Sequence, residues 1–186
     1  MISIATAIQN GQVNATIGVV ISDKPEAPGL EAARALGLTA IAVSPRDFSS
    51  KTDYEQQLIA TFDQHAASLI ILAGYMRLVG PTLLDQYPAQ ILNIHPSLLP
   101  SFKGLDAQRQ AFDYGVRISG CSVHFVTNEL DGGPIVLQEA VPVMSDDSVQ
   151  TLSHRILDAE HRLLPQAIQL FAEGKLVIKN QKATII

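Results

Sequence analysis

The chain has little of what would tie it to an oxidising compartment, a nucleic acid or a membrane. Its single cysteine, Cys121, can form neither an internal disulfide nor a multi-cysteine metal site. Basic residues are outnumbered, 13 Lys+Arg against 18 Asp+Glu for a formal charge of −5, and no dense Lys/Arg cluster offers a nucleic-acid surface. No apolar run approaches the roughly 18 residues that span a bilayer. The opening Met1-Ile2-Ser3-Ile4 lacks the basic segment and small-residue cleavage site of a signal peptide. No repeat, low-complexity tract or Ser/Gly/Pro linker divides the 186 residues, which fits a prior of roughly 150 residues per domain. With 47% hydrophobic and 17% charged residues, the expectation is one soluble, reduced, cytoplasmic globular domain.

What is present is an alternation of short apolar runs with amphipathic ones. Met1 to Gln9 carries Ile4, Ala5 and Ile8 on one helical face before Gly11. Ala15 to Ile21 is β-rich and breaks at Ser22-Asp23-Lys24-Pro25. A short helix over Leu30–Leu36 and a strand over Thr39–Val43 follow. Thr52 and Glu55 have capping-box spacing at the head of a helix reaching His65. Leu69–Ala73 and Ile91–Ile94 read as strands apolar on both faces, which predicts a buried parallel sheet in an α/β fold. Asp106–Tyr114 reads as a helix ended by Gly115. Cys121–Val126 and Ile135–Val143 are strands with no helix between them, hence an antiparallel pair. A helix from Ser148 to about Glu173 should kink at Pro165, and Leu176–Lys179 reads as a last strand. The predicted architecture is one open, mostly parallel, twisted sheet with helices on both faces and an antiparallel pair towards the C-terminus. Neither G-x-G-x-x-G nor G-x-x-x-x-G-K-[ST] occurs, so the fold is Rossmann-like without either nucleotide signature.

Ligands of open α/β sheets bind beyond the carboxyl ends of the strands, and three segments put polar groups there. Ala73-Gly74-Tyr75-Met76-Arg77 is either a ligand-facing strand end or a plain turn with a surface arginine. In Ile91–Pro100, Asn93 and His95 are two apart and so share a strand face, and Pro96 stops the pairing after them. An amide donor beside an imidazole suits acyl transfer, one stabilising an oxyanion and the other moving a proton. The plainer alternative is that both merely satisfy loop backbone. Asn128–Pro134 holds Asp131-Gly132-Gly133, ordinarily a solvent turn between hairpin strands. The two glycines would also let Asp131 turn inward, where it would stabilise a charged His95.

The remaining candidates are weaker. His65 reads as a surface residue at a helix end, and His124 as either core or a residue behind the site. His154 and His161 share a helix face, but no H-E-x-x-H spacing exists, so no metal is expected. Ser97 lacks a nucleophile elbow, and Cys121 reads as a buried filler.

Taken together, Leu72–Val79 (LAGYMRLV), Asn93–Pro100 (NIHPSLLP) and Ser122–Gln138 (SVHFVTNELDGGPIVLQ) closely resemble the folate-dependent glycinamide ribonucleotide formyltransferase family, over essentially the whole chain. The resemblance implies a formyltransferase of purine biosynthesis with Asn93, His95 and Asp131 as catalytic residues. It implies that 10-formyltetrahydrofolate, the co-substrate, lies against Met76, Arg77, Leu78, Val79 and Asn93, with Lys51 at its charged end. The substrate amine would approach Gly74, Pro96 and Glu160. The implied partners are small molecules only, with no nucleic acid or membrane, and the assembly a monomer or homodimer.

Measured against that family, Met1 aligns just after the strand and Gly/Ser/Asn loop with which members open and cradle the substrate phosphate. An N-terminally truncated formyltransferase domain is therefore expected. Asp106 and Leu157 also stand where members often carry other residues. Two alternatives follow: a relative that transfers formyl to another acceptor or to water, and a folate-binding chain without turnover.

Overall fold

The computed structural model describes residues 1–186. Helix α1 (Ile2–Gln9) leads to strand β1 (Val20–Ser22), helix α2 (Pro28–Ala35) and strand β2 (Ala40–Ala42). A 3-10 turn (Pro45–Asp47) precedes α3 (Lys51–Gln64), β3 (Ile70–Leu72), α4 (Pro81–Gln86) and β4 (Ile91–His95). The second half runs α5 (Ala107–Tyr114), β5 (Ile118–Phe125), β6 (Ile135–Pro142), α6 (Val149–Ala172), β7 (Leu176–Lys179) and β8 (Lys182–Ile185).

The α/β expectation holds, with helices on both faces and the predicted antiparallel pair formed by β5 and β6. The strands do not, however, hydrogen-bond into one sheet. They fall into a parallel β1–β2 pair, a four-stranded sheet ordered β3-β4-β5-β6, and a β7–β8 hairpin. Pairing is parallel for β3–β4 and antiparallel from β4 onward. Side chains link the first two groups where backbone does not: Ile21 and Ile41 pack on the same cluster as Ile70 and Leu72. The predicted strand over Ala15–Ile21 is shorter and shifted, to Val20–Ser22. The predicted Thr52–Glu55 capping box is also absent: Ser50 is the cap of α3, its hydroxyl accepting from the Asp53 amide at 3.1 Å.

Strand alternation sorts the four-stranded sheet into two faces. Leu92 of β4 and Cys121, Val123 and Phe125 of β5 join a core with α1 and α6. Helix α6 reaches it through a stripe at helical spacing, Leu152, Ile156, Ala159, Leu163, Ala167 and Ile168, and continues unbroken through Pro165. On the other face, Ile70 and Ile91 pack with Tyr54 and Leu58 of α3 and Leu83 of α4. That helical cover meets the β3 side of the sheet. Further along the same face, Asn93 pairs in register with His124, and His95 with Ser122. The face is therefore polar where β4 meets β5, and loops cover it.

Candidate active site

Two loops close over these polar positions. The first, 96–106, leaves β4 and is stapled to the sheet by a buried hydroxyl: Ser122 Oγ donates to the Ser97 carbonyl (2.7 Å) and accepts from the Leu99 amide (3.0 Å). Gln138 Nε2 of β6 donates to that same oxygen (2.8 Å) and to the Leu99 carbonyl (3.0 Å). The second loop, 126–134, joins β5 to β6. A Cβ on Gly133 would stand 1.9 Å from the Phe125 carbonyl oxygen, so only glycine allows the hairpin to close this tightly. Asp131, at φ +46°, takes the left-handed region that short polar side chains tolerate. Both features turn its carboxylate inward, away from the solvent setting usual for a hairpin Asp-Gly.

The result is a buried chain of polar groups. Asp131 Oδ2 lies 3.4 Å from His95 Nδ1, with the two side chains 9% and 6% exposed. It also accepts the Gly104 amide at 2.8 Å. His95 Nε2 meets the Phe102 carbonyl at 2.8 Å, so both ring nitrogens face acceptors, an arrangement suited to an imidazolium with a proton on each. Asp131 Oδ1 lies 3.6 Å from His124 Nε2, and that nitrogen is 3.1 Å from Asn93 Nδ2. His124 Nδ1 faces the Phe125 carbonyl at 2.9 Å and so carries the proton, leaving Nε2 to accept from Asn93. Burial holds the His124 pKa below its ordinary value, outweighing the opposite pull of the Phe125 carbonyl and Asp131. A neutral His124 leaves His95 as the ring beside the Asp131 carboxylate that can pair with it, and leaves the second Asn93 amide proton unengaged.

Asn93, His95 and Asp131 are thus brought to one place around His124, which hydrogen-bonds Asn93 and lies beside Asp131 without bonding to it. Sequence reasoning had left His124 between core and site. The signal for it was strand parity, since His124 lies opposite Asn93. Gly74, at φ +76°, follows β3, and Pro96 follows β4. Because Leu72 and Asn93 are register partners, both sit at one sheet edge. Met76 and Leu78 are 73% and 64% exposed there, large apolar side chains offered to solvent. Lys51 heads α3, its Nζ 3.9 Å from the buried Glu55. Glu160 lies on α6 outside the polar chain, where burial pushes its carboxyl up to about 7. Burial first, and Glu160 next, raise the Cys121 thiol to about 12. No group of three or more His, Cys, Asp or Glu side chains could hold a metal ion.

Residues 2–168 match the family described as Formyl transferase. The chain belongs to that family. It is 40% identical to the phosphoribosylglycinamide formyltransferase of Escherichia coli (strain K12) over 181 residues, 97% of this chain and 85% of the relative. Its fold superposes with a TM-score of 0.97 on glycinamide ribonucleotide transformylase 1 from Symbiobacterium toebii, 48% identical, covering 99% of this chain and 87% of that one. A formyltetrahydrofolate deformylase from Pseudomonas syringae pv. tomato str. DC3000 is more distant, at 27% identity and a TM-score of 0.90, with 61% of its length covered. No helix of the formyl transferase chain is long and apolar enough to cross a membrane.

Proposed function

We propose that this chain is a single formyltransferase domain that moves the formyl group of 10-formyltetrahydrofolate onto the amine of glycinamide ribonucleotide, a step of purine biosynthesis in the cytoplasm. The observation that carries the reading is the buried His95–Asp131 pair, 3.4 Å apart at the carboxyl end of β4, with Asn93 on the same strand face two residues from His95. The kinship with formyltransferases supports it. In this reading formyl-folate lies against Met76, Arg77, Leu78, Val79 and Asn93, and Lys51 meets its charged end. The exposed Met76 and Leu78 suit a flat apolar ring system. The substrate amine reaches the formyl carbon past Gly74 and Pro96, with Glu160 on its side. The partners are small molecules, and the assembly is a monomer or homodimer.

Transfer is direct. The amine nitrogen bonds to the formyl carbon, the carbonyl oxygen becomes an oxyanion, and the bond from that carbon to the folate nitrogen then breaks. Asn93 donates its unengaged amide proton to the oxyanion. His95 donates from Nε2, and the charged oxygen is a stronger acceptor than the Phe102 carbonyl it displaces. Asp131 holds the imidazolium and orders a water that carries the proton lost by the amine to the departing folate nitrogen. Removing one oxyanion donor lowers turnover by a factor of roughly 10² to 10³. Asn93→Ala and His95→Ala are each expected to show that loss in a formyl-transfer assay while keeping a cooperative thermal transition. Near-normal turnover in either would remove it from the mechanism.

The likeness to a deformylase favours a second reading, in which water is the acceptor. Following formyl-folate consumption with and without glycinamide ribonucleotide separates the two: consumption that needs the amine supports transfer, and equal rates support hydrolysis.

A further inference from the structure

The carboxylate of Glu55 is not spent on its own helix. Glu55 is 1% exposed, yet its nearest cation, Lys51, is half-exposed and 3.9 Å away. Its stronger partners belong to α4: Oε1 accepts the Gly80 amide at 2.5 Å and Oε2 the Leu83 amide at 3.3 Å. Helix α4 has no side-chain cap of its own, because its N-cap residue is Gly80 and Pro81 follows. A carboxylate from α3 thus satisfies backbone donors that a Ser or Asp cap would otherwise serve. The fit also explains the glycine. A Cβ at Gly80 would stand 2.6 and 2.7 Å from the two carboxylate oxygens and 2.9 Å from Lys51 Cε.

The segment held at Gly80 is the one that ends in Met76–Val79. Its other end leans on the same helix. Tyr75 faces Tyr54, and burial first, with that phenol next, drives its own phenol well up. Lys51, Tyr54 and Glu55 share one side of α3 at i, i+3 and i+4, so a single helix face grips both ends of the 75–80 turn and lays the Lys51 stem across it.

We infer that Glu55 is a positioning residue, which holds Met76–Val79 and Lys51 in the geometry that receives formyl-folate without touching it. The inference rests on the proposed placement of formyl-folate. Two backbone donors stay with Glu55 when a ligand carboxylate draws Lys51 away, so the lysine can move between partners without leaving a buried charge unpaired. Glu55→Gln keeps the shape but turns one acceptor into a donor facing a backbone N–H. A lost hydrogen bond to a charged group corresponds to roughly a tenfold effect or more, so KM for formyl-folate should rise by about that factor. KM for the amine substrate and kcat should stay within about twofold, the pattern of lost uniform binding. Glu55→Asp, which keeps both acceptor oxygens, should recover most of the affinity. Gly80→Ala, which displaces an unaltered Glu55, should reproduce the same split if Glu55→Gln does not fold.

The test is steady-state kinetics with each substrate varied, alongside amide hydrogen exchange at Gly80 and Leu83 of the unliganded protein. Faster exchange together with the selective KM rise supports the inference. Unchanged exchange overturns it, as does a loss falling on kcat or equally on both KM values. A wild-type protein that shows no saturation by formyl-folate would instead overturn the proposed function, and the exchange rates would still judge the brace.

Discussion

Glu160 allows a quantitative test, because its burial makes stability depend on pH with a defined sign. Burial raises its carboxyl from 4.5 to about 7. Between those values the folded chain keeps a proton that the unfolded chain has released. The unfolded state then binds fewer protons, so stability falls as pH rises through the window and levels off above it. A shift of 2.5 units at about 1.36 kcal/mol per unit gives about 3 kcal/mol, an upper bound for a side chain that keeps some contact with water. Two other groups act on the same curve. Asp147 is held well below the usual carboxylate range by the Arg155 fork first and the Met144 amide next, and its contribution changes only below pH 3.8. His124 is held below 6.5 by burial and has the opposite slope, its stability gain arriving as pH rises towards that value. Subtraction removes both. Urea unfolding of the wild type and of Glu160→Gln, from pH 4.5 to 8, should show the variant gaining on the wild type by up to about 3 kcal/mol between pH 5 and 7. Parallel curves would refute the buried, proton-holding Glu160. A bound amine substrate should flatten the wild-type slope, since a cation beside the carboxyl favours its charged form.

Two further substitutions probe how the site is held. Gly133→Ala puts a Cβ 1.9 Å from the Phe125 carbonyl oxygen, and the hairpin must open by about an ångström, a displacement that can lower turnover by roughly 10². Thermal unfolding and turnover should both report it, and a fully active Gly133→Ala would show that the hairpin does not set the position of Asp131. His124→Phe keeps a ring in place but removes the acceptor at 3.1 Å from Asn93 Nδ2. A neutral hydrogen bond of this kind is worth about 1 kcal/mol, so kcat should fall by about fivefold to tenfold, and an unaltered kcat would separate His124 from Asn93.

Much of the site was legible because it follows from local rules. Asn93 and His95 are two apart in a strand stopped by Pro96, and that parity alone puts both on one face. Gly132-Gly133 marks a turn tight enough to redirect Asp131. The periodic helices α1, α5 and α6 stand close to where their apolar spacing puts them. What stayed hidden depends on partners distant in sequence. Glu55 has capping-box spacing from Thr52, yet its carboxylate serves amides 25 and 28 residues away. The Phe102 carbonyl and the Gly104 amide reach His95 and Asp131 through left-handed backbone at 102 and 104, and only glycine announces such geometry in a sequence. Helix α4 has six residues, too short for periodicity to stand out. Sheet continuity is likewise a matter of which backbone edges meet, which side-chain patterning does not encode.

The loops that cover His95 are locked to one another as well as to the sheet. Phe102 supplies one side of the imidazole and Asp131 the other, the Gly104 amide ties the two segments at 2.8 Å, and Lys103 bridges to Glu129 at 2.7 Å outside them. Neither segment has a complete set of partners without its counterpart. An engineer building chimaeras from relatives would therefore have to transplant residues 96–106 and 126–134 as a matched pair, because a hybrid carrying only one would strand a buried acid or a buried ring.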